Sequence, residues 1–338
     1  MGYTFIRKIN LFKIDVMLNL FQHLMRLRNK FGMTLKSISF VKLSLLKCCF
    51  VFAFLLLSFK GISQPYVDIV NTSAQSLQSN YKDVLKSKNT TTNYFLNLTI
   101  PLVLDSQNTF IIRFYGENLQ STIKNDFYTQ TNNLYSAILP VGLQHETKNK
   151  KWKFIGLLMP KLSADFKSSV SSYDFQLGAY GLATYIINKK LKVKAGLFYN
   201  KEFFGNFFVP LFSIDWDATD RLKLYGILPT TYRIEYAILK QKLYAGLAFK
   251  SYTRSYRLSD NNHDYVKNAE LQAKAFVDVY IKKKFVLFTE FGRTNNYSPL
   301  AYLYETKTPL NAPPIYTGIQ DAFFFNVGLA LRIRTDFK

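Results

Sequence analysis

Two of the three histidines in this chain lie next to a carboxylate, the arrangement that a general base in a hydrolase requires. His145 precedes Glu146 at the end of an alternating segment, and His263 precedes Asp264 in a polar stretch. A neighbouring carboxylate orients an imidazole and stabilises its protonated form. The sequence places no serine or cysteine nucleophile near either pair, and no metal-ligand spacing recurs. It therefore predicts no enzyme, no metal site and no cofactor, with a hydrolytic site at His263 as the alternative.

Charged residues that alternate with apolar ones form a second candidate set. Opposite charges that face a common interior pair across it and close or narrow it, whereas a wide diffusion pore would have its charges sorted onto different walls. The excess of positive charge would favour anions if water passes. The predicted lumen-facing residues are Arg113, Lys192, Lys194, Arg233, Glu235, Glu270, Lys274, Asp278, Glu290, Arg332 and Arg334.

The last stretch of the chain shows what kind of element must position such charges. From Phe323 to Ile333 every second residue is apolar, and the alternate positions, continued one residue further, include Arg332 and Arg334. One apolar and one polar face over about ten residues is what a strand needs to cross a bilayer in a closed barrel. The stretch is therefore predicted to be a membrane-spanning strand.

This closing stretch resembles the last strand of bacterial outer-membrane β-barrels, in which an aromatic residue near the C-terminus belongs to the signal read by the assembly machinery. The resemblance assigns that role to Phe323, Phe325 and Phe337, and the chain departs from the pattern in having Lys338 after the last aromatic residue. It extends over residues 64–338 and points to Bacteroidota-type barrels of a family without assigned activity. It implies a cell outer-membrane location, export by the general secretory route, and the barrel assembly machinery as a partner.

Alternating segments separated by turn residues continue along the whole region from Tyr66 onward. We count 14 segments, and the connections between them alternate short and long, as in barrels with short turns on one side of the membrane. The predicted fold is all-β, an antiparallel up-and-down transmembrane barrel of 14 strands. Merging the weak first segment, or those around 221–239, gives 12 strands as the alternative. A soluble β-sandwich also has alternating strands but does not explain why every second connection is short.

An apolar run of about 12 residues at 48–59 precedes this region and is short for a membrane-spanning helix. Lysines come before it and small residues follow it, which is the pattern of a secretory signal peptide. We assign residues 33–63 to that signal, with cleavage between Ser63 and Gln64. An N-terminal membrane anchor is the alternative.

Residues 1–32 are basic and precede a methionine at which a signal peptide of ordinary length begins, so we interpret them as a mis-assigned upstream start. A long basic region at the start of the signal peptide is the alternative. Both cysteines, Cys48 and Cys49, fall in the leader. The exported chain, 64–338, is therefore predicted to have no disulfide and to depend on a fully paired sheet for its stability.

Beyond residue 63 the chain has 34 basic and 21 acidic residues, a balance that fits anionic lipid or nucleic acid. The lysines are spread over several short turns and no recognition module is present, which favours lipid over nucleic acid. Outer-membrane lipid and lipopolysaccharide are the predicted partners, and no oligomeric state is predicted. The turn lysines are Lys148, Lys150, Lys151, Lys189, Lys190, Lys240, Lys242, Lys282, Lys283 and Lys284.

These features predict an integral outer-membrane barrel that acts as a passive small-solute channel or as a structural membrane component. The alternatives are a barrel enzyme with a site in its outer loops and a soluble secreted β-sandwich that binds a ligand. None of the features that carry the resemblance is specific to a substrate.

Overall fold

The computed structural model describes residues 65–80, 88–124, 129–259, 264–295, 300–302 and 322–336. The predicted cleavage site at Ser63 and Gln64, the predicted leader segments, His263 and Phe337 lie outside these residues.

Strands make up nearly all of the described chain, because the period-two alternation of apolar and polar residues continues from one segment to the next. The first eight are β1 (Tyr66–Asn80), β2 (Lys88–Val103), β3 (Asn108–Lys124), β4 (Thr129–Ile138), β5 (Val141–Glu146), β6 (Trp152–Ala164), β7 (Phe175–Ile186) and β8 (Leu191–Glu202). The others are β9 (Gly205–Asp217), β10 (Leu222–Ile227), β11 (Thr231–Leu239), β12 (Leu243–Arg257), β13 (Tyr265–Ile281), β14 (Phe285–Asn295), β15 (Leu300–Tyr302) and β16 (Ala322–Arg334). A 3₁₀ turn at Ser172–Asp174 precedes β7. Among the described residues, no helix is both long and apolar enough to span a membrane.

The strands form one closed antiparallel sheet. Strands β1 and β16 pair from Tyr66 opposite Arg334 to Leu77 opposite Phe324, and this joins the two ends of the wall. Strands β4 and β5 are two parts of one wall strand, because β3 and β6 each pair with both. Pro140 lies at their junction and has no N–H to donate to a neighbour.

Strand β15 pairs only with the first residues of β13 and adds no member to the wall. The described residues therefore form a closed barrel of 14 wall strands, which confirms the predicted fold and makes the 12-strand alternative wrong. At one end the Thr335 N–H donates to the Pro65 carbonyl at 2.9 Å. We call this the lower end and the opposite end the upper end.

The barrel has apolar side chains outside and polar side chains inside. On β16 the outward Phe323 and Leu329 are 62% and 56% exposed, whereas the inward Phe324 and Arg332 are each 2% exposed. Soluble proteins bury their apolar residues instead, so this arrangement fits a barrel surrounded by lipid. The alternative of a soluble sandwich is wrong, because the described strands form one closed sheet in place of two packed sheets.

Three of the long connections that the alternation predicts contain the paired upper ends of long strands. Strands β3 and β4 stay in register up to Lys124 opposite Thr129, and β1 and β2 up to Asn80 opposite Lys88. Strands β12 and β13 pair up to Arg257 opposite Tyr265. Polar residues occupy both faces of the first two hairpins, so hydrophobic alternation cannot reveal them.

Candidate functional site

The lower half of the lumen contains a cluster of ion pairs centred on Arg332. The register of β1 and β16 places Asp68 directly opposite Arg332, and Arg332 Nε lies 2.6 Å from Asp68 Oδ1. Its Nη1 also contacts Asp278 Oδ2 on β13 at 2.6 Å, and Asp278 in turn contacts Arg233 on β11 at 3.1 Å. The Arg332 guanidinium packs on the face of the Tyr66 ring, and its Cζ atom lies 3.7 Å from the centre of the ring. These contacts tie together strands that are not neighbours in the wall.

Arg334 forms a second ion pair across the lumen, closer to the lower mouth. Its Nη2 lies 2.6 Å from Glu235 Oε1 on β11, and its Nε lies 2.8 Å from Asp336 Oδ1. Tyr225 donates to Glu235 at 2.9 Å, and Lys223 contacts Asp336 at 2.8 Å. Partial burial raises the pKa of Asp336, but hydrogen bonds and charge from Arg334 and Lys223 outweigh it and hold this pKa below its usual value. The Asp336 carboxylate is thus kept ionised at the mouth.

A gap in the backbone pairing of β9 and β10 is filled by side chains. The ladder holds at Trp216 and Leu224 and again at Phe212 and Leu228, with the Gly226 backbone between them. The Gly226 N–H donates to Asp215 Oδ1, and the Gly226 carbonyl accepts from Lys194 Nζ, each at 3.3 Å. Lys194 and Asp215 also form a buried ion pair of 2.5 Å. On the outer face the Tyr232 hydroxyl donates to the Ile214 carbonyl at 2.6 Å. Side chains therefore replace the missing backbone hydrogen bonds of this seam.

In the upper half, Glu117 on β3 connects opposite walls. Asn93 on β2 donates to it at 2.6 Å, the Tyr256 hydroxyl on β12 donates at 3.0 Å, and Arg254 on β12 forms an ion pair with it. Strands β3 and β12 are separated by five wall strands on the shorter way round the described barrel. The upper lumen is therefore narrow enough for side chains to meet across it.

Glu202 is the centre of another buried cluster in the upper half. Its carboxylate lies 3.0 Å from Lys161 Nζ on β6 and accepts the Ser255 hydroxyl of β12 at 2.5 Å and the Ser255 N–H at 3.0 Å. Gln176 on β7 donates to the same carboxylate at 3.3 Å. The neighbouring strands β6, β7 and β8 are thus connected to β12 on the opposite wall through this one acidic group.

A backbone contact closes the upper end above these clusters. The Asp165 N–H donates to the Arg257 carbonyl at 3.0 Å, and Arg257 pairs in parallel with Ala164, so the tip of β12 touches the tip of β6 across the barrel. The Arg257 side chain forms an ion pair with Asp174, and the Ser259 N–H donates to Asp165 at 3.1 Å. The opposite walls are therefore fastened together by both backbone and side chains.

The lower end, in contrast, has two cavities. The larger is about 350 Å³ and the smaller about 200 Å³, and both are lined by Lys190, Asp217, Lys223 and Asp336. Both signs of charge line each cavity. The lumen thus has a polar lower vestibule below a closed upper half.

The predicted lumen-facing residues lie in different places. Seven of them fall into the two lower ion-pair groups and one further pair. They are Arg233, Asp278 and Arg332, then Glu235 and Arg334, and then Lys274 and Glu290, whose Nζ and Oε2 atoms lie 2.6 Å apart. Lys194 pairs with Asp215, and Glu270 accepts from Tyr252 and Gln272 in the upper half. Arg113 stands apart and contacts the Tyr115 hydroxyl at 3.4 Å, and Lys192 lies near the lower cavity.

Phe323 and Phe325 of the predicted assembly signal lie on the outer face of β16, where both side chains are exposed. His145 lies exposed near the lower end, with its Nδ1 2.8 Å from the Asn108 side-chain oxygen. The described residues contain no cluster of three or more side chains suited to bind a metal ion.

Several residues of these clusters were not predicted from the sequence. The alternation in the sequence predicts strands over Leu191–Asn200 and Leu243–Tyr252. Glu202 lies two residues beyond the first of these, and Arg254 and Arg257 lie beyond the second. Continuing the period-two count past each predicted end would have found Glu202 and Arg254. Asp68 lies in the weak first segment, where a bulge between Asp68 and Val70 breaks the alternation.

Comparison with known structures returns membrane barrels with very low sequence identity. An outer membrane channel from Pseudomonas putida F1 has 9% identity and a TM-score of 0.41, covering 81% of this chain and 100% of that one. The translocator domain of the autotransporter NalP from Neisseria meningitidis has 11% identity and a TM-score of 0.36, covering 88% and 97%. OprB of Pseudomonas putida has 9% identity and a TM-score of 0.34, covering 80% and 93%.

No curated protein sequence matches this chain significantly. A family model does match it, over residues 59–332. This range contains all the described wall strands except the last two residues of β16. The chain belongs to the family described as a domain of unknown function, DUF6268.

Proposed function

We propose that this chain is an integral outer-membrane barrel that forms a narrow passive channel for small solutes, held closed at its upper end in the conformation described above. The observation that carries the proposal is the polarity of the closed barrel, with exposed apolar rows outside and charged side chains buried inside. A sheet without edges satisfies its own backbone hydrogen bonds, which is a condition for crossing a bilayer.

The lower vestibule and the nature of the upper closure favour a channel. The vestibule admits solvent to the ion pair of Lys223 and Asp336 at the lower mouth. The closure consists of hydrogen bonds and ion pairs that can separate without breaking the wall. Among the described residues, no separate plug domain fills the lumen.

A purely structural barrel is the second candidate, and one observation favours it. The contact between Asp165 and Arg257 joins opposite walls through the backbone, which makes the barrel stiff. A stiff closed barrel is sufficient for a protein whose role in the membrane is only structural.

The test is single-channel recording of the purified, refolded barrel in planar lipid bilayers. A channel gives discrete conductance steps, rare in the closed state and more frequent when the upper contacts are weakened. A barrel that shows heat-modifiable migration on gels, and is therefore folded, but never conducts would leave only the structural role.

Lipid is the proposed partner of the outer surface. Trp152 and Trp216 lie at lower strand ends and are 40% and 47% exposed, as in the aromatic belts of membrane proteins. The ten turn lysines named above are exposed at the lower rim, where each contributes about 1 kcal/mol if anionic head groups are present. We propose two further partners. Lipopolysaccharide binds at the upper rim, and the barrel assembly machinery recognises Phe323, Phe325 and Phe337.

A further inference from the structure

The smaller of the two lower cavities lies inside the lumen, between walls that face each other across the mouth. Pro65 and Thr335 line it where β1 and β16 meet, and Lys223 and Tyr225 of β10 line it from the other side. Four wall strands separate β10 from β16 on the shorter way round the described barrel. The volume of about 200 Å³ leaves room for one small solute or several water molecules.

Three lysines approach this cavity from the turn between β7 and β8 and from the start of β8. They are Lys189, Lys190 and Lys192. The turn is fixed in place, because Asn188 Oδ1 accepts from the N–H groups of Lys190 and Leu191 at 2.8 and 3.0 Å. The Asp217 N–H donates to the Lys190 carbonyl at 2.8 Å, which ties the turn to β9. With Lys223 of β10, four ammonium groups line one small space.

Two of the three acidic groups of the same cavity are neutralised by cations that do not line it. Asp215 pairs with Lys194 at 2.5 Å, and Asp336 pairs with Arg334 at 2.8 Å. The third, Asp217, lies 3.7 Å from the β10 lysine. The lysines of the cavity therefore meet little uncompensated negative charge.

The larger cavity leaves this balance unchanged, because it adds two basic and two acidic groups to the lining. They are Arg221, Lys240, Asp220 and Glu235. With Lys194 and Arg334 included, the lower vestibule has eight basic and five acidic side chains. The vestibule is therefore basic although both signs of charge line it.

Neighbouring charges outside the lining do not cancel this excess. Lys153, a charged neighbour of Lys192, pairs with Glu146 at 3.2 Å. Above the vestibule, the ion-pair group centred on Arg332 contains two arginines and two aspartates. The other turn lysines at the lower rim only add positive charge.

We propose that the smaller cavity binds a small multivalent oxyanion of the phosphate type. Coulomb attraction grows with the charge of the ligand, so this excess of cations favours a multivalent ion over chloride or nitrate. Each lysine offers three donors and acts toward phosphate as a point charge. None of the described residues that line this cavity is an arginine, so it lacks the guanidinium fork that matches a planar carboxylate. The inference deepens the proposed channel by naming its solute class, and it rests on that proposal only for passage through the lumen.

Free phosphate and a phospholipid head group share this chemistry. Pro65, Thr335 and Tyr225 place the cavity inside the wall, whereas lipid head groups surround the wall on its outside. The site therefore takes the free ion.

The experiment is isothermal titration calorimetry of the full refolded barrel in nonionic micelles, with sodium phosphate as the probe and sodium nitrate at equal ionic strength as the comparison. We expect saturable binding of phosphate at neutral pH that nitrate does not reproduce. The paired substitution Lys190→Gln and Lys192→Gln should weaken binding about tenfold, because charge-assisted hydrogen bonds are lost. The pair Lys282→Gln and Lys283→Gln removes the same charge from a lower turn that lines neither cavity, and should leave the affinity nearly unchanged.

Asp217→Asn should change the affinity in the opposite direction. It removes the one acidic group of the cavity that no cation outside the lining neutralises, so phosphate should bind several-fold more tightly. A residue with only a structural role would give weaker or unchanged binding.

Absence of saturable phosphate binding by the unaltered protein would overturn the proposal. Equal losses in the two lysine pairs would also overturn it, as would weaker or unchanged binding in Asp217→Asn. If the Lys190 and Lys192 variant fails the heat-modifiability check, Lys190→Gln alone takes its place, with a several-fold loss expected.

A second titration, in vesicles of phosphatidylcholine with and without phosphatidylglycerol, separates the two sources of phosphate. Equal affinity in both supports the free ion, and a several-fold loss with phosphatidylglycerol would overturn that assignment because head groups would then occupy the site. Channel activity is measured separately in bilayers. A barrel that conducts but does not bind phosphate would refute this inference alone, and one that binds phosphate but never conducts would refute the channel alone.

Discussion

Arg334 and Glu235 form an ion pair of 2.6 Å although β12, β13 and β14 stand between their strands in the wall. Both side chains are almost completely buried, with 0% and 1% exposure. Neither charge could stay buried without the other at little cost, because a lone buried charge strongly destabilises the folded state. The pair therefore fixes the width of the lower lumen.

Replacing Arg334 by Gln should destabilise the barrel by about 3–5 kcal/mol, because Glu235 then stays buried without its cation. The free energy of unfolding is measured by urea titration of the refolded protein in micelles. The control is Lys240→Gln, which removes an exposed contact of 4.0 Å with Asp220 and should change the stability by at most about 1 kcal/mol. Equal losses in the two variants would show that the buried pair has no special role.

The hydroxyl of Tyr232 should stabilise the seam between β9 and β10. Tyr232→Phe removes the hydrogen bond to the Ile214 carbonyl and should cost about 1 kcal/mol. Tyr236→Phe is the matched control on the same strand and the same outer face. Exchange of the Gly226 amide hydrogen should also become faster in the first variant only. If both tyrosine variants unfold at the same urea concentration as the parent, the seam does not depend on this bond.

Asp336 should make the stability of the barrel depend on pH in the acidic range. Its pKa is below the usual value in the folded protein, so its contribution is complete above the ordinary pKa of about 3.9 and is lost as the pH falls through the lower folded value. Asp336→Asn removes that contribution at neutral pH. The difference in stability between parent and variant should therefore shrink as the pH drops below about 4. A difference that stays constant from neutral pH to pH 2 would contradict this assignment.

The contacts of Arg257 should control conduction. The double substitution Asp174→Asn and Arg257→Gln removes the ion pair at the upper end without leaving a lone buried charge. We expect a several-fold increase in the fraction of time the channel is open in planar bilayers. Lys283→Gln, in an exposed lower turn, is the control and should leave that fraction unchanged. An identical open fraction in all three proteins would mean that the closure lies elsewhere.

The membrane-facing half of this fold could be predicted from the sequence, because lipid imposes a strict alternation that β16 shows over its whole length. The upper hairpins could not, since a strand that is polar on both faces has no periodic signal, as in Thr129 to Asn133. Positions such as Lys194 and Asp278 follow from counting by twos along a strand. Pairings across the lumen do not follow from the sequence. Arg334 and Glu235, for example, are 99 residues apart, and only the curvature and stagger of the wall bring them together.

The central claim is that apolar side chains face lipid around a closed barrel, and the two tryptophans of the chain test it directly. Trp152 and Trp216 both lie exposed on the outer face, so their fluorescence reports only on that surface. The measurement is quenching in reconstituted vesicles, by brominated acyl chains on one side and by water-soluble acrylamide on the other. The account predicts strong quenching by the brominated lipid and weak quenching by acrylamide. Strong quenching by acrylamide with none by brominated lipid would contradict it.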